Sequence, residues 1–73
     1  MNNEELTRYI LETFNDGNEV KANTKYTDNE IERCIHLLAK NNCIIDCYQD
    51  VLGNYCAEGL TSTGKELLKK LRA

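Results

Sequence analysis

The sequence predicts a small α+β domain, on three observations. Apolar residues recur at helical spacing in three separate stretches, with a strand-rich segment between the second and the third. That segment, residues 43–57, carries two runs of strand formers around a turn region with Gly53. No proline interrupts any element. The order helix, short element, helix, hairpin, helix is that of a winged helix, with three to four helices and a two-stranded β-hairpin wing.

The opening helix is set by Leu6, Ile10 and Phe14, which follow one another every fourth residue with Tyr9 and Thr13 beside them. Asn15-Asp16-Gly17-Asn18 ends it, because Gly and Asn tolerate the left-handed backbone of a helix C-terminus. From Glu19 to Tyr26 the apolar pattern is weak, with Val20, Ala22 and Tyr26 as anchors, and it supports a short helix or an irregular turn.

Thr27-Asp28-Asn29-Glu30 has the form of a capping box, so a second long helix starts there. It runs through Ile31, Cys34, Ile35, Leu38 and Ala39 and breaks at Asn41-Asn42. Cys43 to Tyr48 and Tyr55 to Ala57 then read as the two strands of a wing, joined through Asp50 to Asn54. With the turn centred between Val51 and Leu52, Cys47 faces Cys56, on the same side as Cys43 and Ile45. Leu60-Thr61-Ser62 opens a last helix with Leu67, Leu68 and Leu71 on one face and Lys69, Lys70 and Arg72 at its end. Those leucines need a partner face, and Leu6, Ile10 and Phe14 offer one. Tyr9 and Leu11 flank that face, which makes a homodimer through the terminal helices a reasonable expectation.

At 73 residues the chain has room for one core, taken as a single domain over 1–73. A chain this short buries only about 60% of the surface it exposes when unfolded. No apolar run reaches the roughly 20 residues of a membrane span, and the acidic opening is unlike a secretory leader, so a cytoplasmic protein with no membrane partner is expected. In that reducing setting Cys34, Cys43, Cys47 and Cys56 read as buried thiols. A zinc knuckle is not expected, since Cys43 and Cys47, four apart in a strand, would lie about 13 Å from each other.

Three stretches carry a family likeness: Tyr26 to Ile31, His36 to Ile44, and Leu60 to Leu68 with its Leu-Thr-x-x-Gly opening. On these the chain resembles the YjcQ-like winged-helix family of small bacterial and phage proteins. It departs from the pattern at Asn42, where a glycine is usual, and at Cys43, where a larger apolar residue is usual. The resemblance implies the fold and leaves the activity open.

Catalysis has no support in the sequence. His36 is the only histidine, it lies off the apolar stripe of its helix, and no nucleophile or phosphate-binding motif accompanies it. Neither a cofactor nor a metal is expected. Winged helices commonly bind duplex DNA, and a transcriptional regulator of bacterial or phage origin is the first expectation. Its contacts would come from Arg33, His36 and Lys40 on the recognition helix, with Lys21 and Lys25 ahead of it. The charge argues the other way: the chain is at −3, and there is no Lys or Arg between Cys43 and Leu60. The alternative is an acidic module that binds a host or regulatory protein, as a phage-encoded inhibitor would, without touching DNA.

Overall fold

In a computed structural model that describes residues 4–73, three helices surround one core and an antiparallel hairpin projects from it. The helices are α1 (Glu4–Asn15), α2 (Asp28–Lys40) and α3 (Ser62–Arg72). The strands are β1 (Ile44–Ile45), β2 (Tyr48–Gln49), β3 (Tyr55–Cys56) and β4 (Gly59–Leu60). The layout is α+β and winged-helix-like. Between α1 and α2 there is no fourth helix. Asn23 forms a turn instead, its side-chain oxygen accepting from the backbone N–H of Lys25 and Tyr26.

The end of α1 and both ends of α2 have a chemical cause. Thr27 and Glu30 form the expected reciprocal capping box at the start of α2. Both α1 and α2 stop in Schellman geometry. Gly17, at φ 78°, sends its N–H to Phe14, and Asn18 sends its own to Thr13. Asn42, at φ 59°, does the same to Ala39, and Cys43 to Leu38. Asn is the non-glycine residue that best tolerates this left-handed backbone, so the departure from glycine at position 42 keeps the cap.

The hairpin differs from the expected one by a residue. Tyr48, not Cys47, lies opposite Cys56, and Gln49 lies opposite Tyr55. The cause is the loop. Gly53 donates to the Asp50 carbonyl and takes φ 86°, while Asp50 donates to the Asn54 carbonyl, which makes a three-residue loop with an odd centre. A one-residue slip turns every side chain to the other face. The run from Cys43 is also not one strand, because Asp46 at φ 48° divides it into β1 and β2. Cys43 and Ile45 therefore part company: Cys43 is buried and Ile45 exposed. On the other side of the hairpin, Val20 exchanges two hydrogen bonds with Tyr55, of 2.8 and 3.0 Å, and acts as a third strand one residue long.

The core is built on α1, whose Leu6, Ile10, Leu11 and Phe14 are all buried. Ile31, Ile35 and Leu38 of α2 and Leu68 of α3 close on it, with Val20, Ile44 and Leu60. The expected packing of α3 on α1 is present, but Leu68 is its centre, and Leu67 and Leu71 are half-buried at the rim. Leu11, expected to flank the core, lies within it, and Tyr9 stacks on Tyr26 at 6.0 Å. Both residues behind the expected self-pairing are thus used inside the protomer.

The Leu60-Thr61-x-x-Gly64 stretch joins α3 to the end of α2. The Thr61 hydroxyl accepts from the Gly64 N–H and donates to the Asn42 carbonyl, and the Thr61 N–H donates to the Cys43 carbonyl. Gly64 is required by contact rather than by dihedral, since a Cβ there would lie 2.0 Å from the Cys43 carbonyl oxygen.

Candidate interaction surface

Two surfaces adjoin on one side of the molecule: the outer face of α2, and a groove between α2 and the hairpin. The helix period sets the first. Asn29, Arg33, His36 and Leu37 point away from the Ile31, Ile35, Leu38 stripe and, with Glu32, line a shallow depression. Of the five expected contact residues, the structure brings only Arg33 and His36 together there. Lys40 follows on the last turn of α2. Lys21 lies apart, at the groove beside Asp28 and Glu32. Lys25 is held on the Glu5 carboxylate, with its ammonium 5.6 Å from the Tyr26 ring centre. That pairing holds the Glu5 carboxyl below the usual range and raises Lys25.

The groove has two halves that share Glu32, Gln49 and Tyr55. One half, about 270 Å3, is walled by Ile35, Ala39, Cys47 and Tyr48 and is mainly apolar. The other, about 590 Å3, runs from Asp28 past Lys21 to Leu52 and Asn54. Tyr55 lies on the floor of both. Its phenol is raised above its ordinary value, first by burial and then by the carboxylates of Glu32 and Asp28, which face it.

Beyond the groove the hairpin ends in apolar residues. Val51 is 100% exposed and Leu52 82%, and Tyr48 on β2 is 59% exposed. Turns are normally polar, so adjacent Val and Leu at a tip were a readable signal of a contact surface, one that charge counting passes over. The tip is rigidly made: Asp50 accepts from the N–H groups of Leu52 and Asn54, and the Asn54 amide donates to Glu19.

Charge is distributed unevenly. From Asp28 to Leu60 there are six carboxylates, Asp28, Glu30, Glu32, Asp46, Asp50 and Glu58, against Arg33 and Lys40. From Thr61 onward there are four cations, Lys65, Lys69, Lys70 and Arg72, against Glu66. The helix and wing that would enter a DNA groove are therefore the acidic half of the molecule.

The four thiols are free, and Cys47 and Cys56 lie near enough to influence one another. Among the described residues, the single grouping of three metal-type ligands is Glu19, Asp50 and Cys56, within 4.8 Å of one another. Both its carboxylates already accept the hydrogen bonds that fix the hairpin tip. Burial raises the thiols of Cys34, Cys43 and Cys47, as expected of packed sulfurs. No helix among the described residues is long and apolar enough to cross a membrane. Comparison with protein-family models, with curated proteins and with solved structures returned no match.

Proposed function

We propose that the chain is a small, non-catalytic binding module that engages a partner protein through α2 and the hairpin. The observation that carries this reading is an apolar hairpin tip, Val51 and Leu52, on a stretch from Asp28 to Leu60 that holds six carboxylates against two cations. An exposed apolar tip beside a polar rim is the ordinary make-up of a protein contact. A phosphate-lined groove would repel this face, because non-specific DNA affinity rests on cations placed against phosphates. Three of the four thiols are packed in or against the core as small apolar groups, a use that fits a reducing cytoplasm. The likeness to the YjcQ-like family, read from the sequence, names no partner.

A second reading, a DNA-binding regulator, is favoured by one specific arrangement: Arg33, His36 and Lys40 follow one another along the exposed side of α2. The two readings separate in one experiment. Affinity capture from a host lysate is run with the native chain and with Leu52→Asp, beside a gel-shift with duplex DNA at low salt. The protein reading expects a captured partner that Leu52→Asp loses, and no shifted duplex. A salt-dependent shift abolished by Arg33→Ala, with capture indifferent to Leu52→Asp, would install the DNA reading instead.

A further inference from the structure

The groove between α2 and the hairpin says what kind of partner the proposed module takes, and the inference rests on that reading. Its two halves differ in chemistry along a continuous floor. At one end Ile35, Ala39 and Cys47 with the Tyr48 ring form an apolar wall beside His36. At the other, Asp28 and Glu32 stand on α2 opposite Gln49 and Leu52 of the hairpin. Tyr55 spans the two, so its ring is reachable from both. Asp28 and Glu32 lie one helical turn apart and project on the same side. Neither is in an ion pair among the described residues.

We propose that this groove holds a basic segment of a partner protein, with an arginine or lysine side chain between Asp28 and Glu32 over the Tyr55 ring and a neighbouring apolar side chain against Ala39 and Tyr48. Two carboxylates and an aromatic face are the donor set a guanidinium or ammonium takes, through charge-assisted hydrogen bonds and cation–π contact. The apolar half supplies what a bare cation would not use, so the ligand is amphipathic: a basic residue adjacent to apolar ones. Lys21, at the mouth of the acidic half, opposes such a ligand and moderates its affinity.

The probe is a short fluorescein-labelled peptide of alternating arginine and leucine, with a glutamate–leucine peptide of equal length and a labelled DNA duplex as comparisons, followed by anisotropy. The native chain is expected to bind the arginine–leucine peptide alone. Glu32→Lys, at an exposed position, should weaken binding about tenfold or more, and Lys21→Gln should tighten it severalfold. Glu58→Lys makes the same charge change outside the groove and should alter affinity by less than about threefold. Circular dichroism of each variant checks that the helices persist. Equal losses in Glu32→Lys and Glu58→Lys would mean that net charge alone attracts the peptide, which overturns the groove assignment and leaves the protein-binding reading standing. Indifference to all three variants, or no binding of the arginine–leucine peptide, would also overturn the assignment. Preference for the duplex would overturn both.

Discussion

Replacing Gly64 by alanine puts a single methyl group at the point where α3 meets the end of α2. The new Cβ would stand 2.0 Å from the Cys43 carbonyl oxygen and 3.0 Å from its carbonyl carbon, where non-bonded atoms pack at about 3.5 Å. The obstacle is backbone, so no rotamer change relieves it. α3 must instead retreat by roughly 1.5 Å, taking Thr61 with it. That retreat stretches two hydrogen bonds, Thr61 N–H to Cys43 at 3.1 Å and Thr61 hydroxyl to Asn42 at 2.6 Å. Each contributes about 1 kcal/mol. Overpacking adds about 1–3 kcal/mol, while alanine in place of glycine inside a helix returns about 1 kcal/mol. The expected net loss is about 2–4 kcal/mol, a large part of the stability of a domain this small. Urea denaturation followed by circular dichroism measures it, with Ser62→Ala, exposed two residues earlier in the same helix, as the comparison. A Gly64→Ala midpoint at or above the native one would refute the packing argument, since helix propensity would then outweigh the contact.

Four other outcomes follow from the same structure. Ile10→Ala, at a position 0% exposed, should cost about 2–5 kcal/mol, and Leu67→Ala at the rim clearly less; equal denaturation midpoints would contradict the placement of Leu67. Thr27→Ala removes the α2 capping box and should cost about 1 kcal/mol, read from the same urea curves, whereas Thr27→Ser should cost little. Glu12 accepts from Arg8 and from Arg72, so its carboxyl is held below the ordinary 4.5. The stabilisation is therefore present above pH 4.5 and is lost as the pH falls through the lower folded value, and Glu12→Gln should make thermal unfolding less sensitive to pH between 5 and 2. Cys34 and Cys43, raised by burial, should react with iodoacetamide at neutral pH far more slowly in the native protein than in urea, as peptide mass mapping would record.

Helix positions were legible because each helix announces itself by period and cap: Thr27 to Glu30 and Gly17 are local chemistry, readable without the rest of the chain. The hairpin register was legible only in the loop, because it depends on whether the loop holds an even or odd number of residues, and a centre between Val51 and Leu52 takes an odd loop for an even one. Asp50 three residues before Gly53 is the signature of a type I turn closed by a left-handed glycine, and it marks the odd loop that places Tyr48 opposite Cys56. Val20 carries no local signal at all, since a one-residue strand exists only through its partner Tyr55. For the surface, charge counting found the cations of α2 but could not reveal that Lys25 is occupied by Glu5, a residue 20 positions away. Nor could it assemble the groove, whose walls come from α2 and from both strands of the hairpin.

The central claim is that the acidic, apolar-tipped side of the molecule meets protein. The most direct measurement is nuclear magnetic resonance of the 15N-labelled chain, titrated separately with the arginine–leucine peptide and with a DNA duplex at low salt. The account predicts peptide-induced shifts at Asp28, Glu32, Leu52 and Tyr55, unchanged α3 amides, and no response to the duplex. Duplex-induced shifts at Arg33, His36 and Lys40, with the hairpin silent toward the peptide, would contradict it.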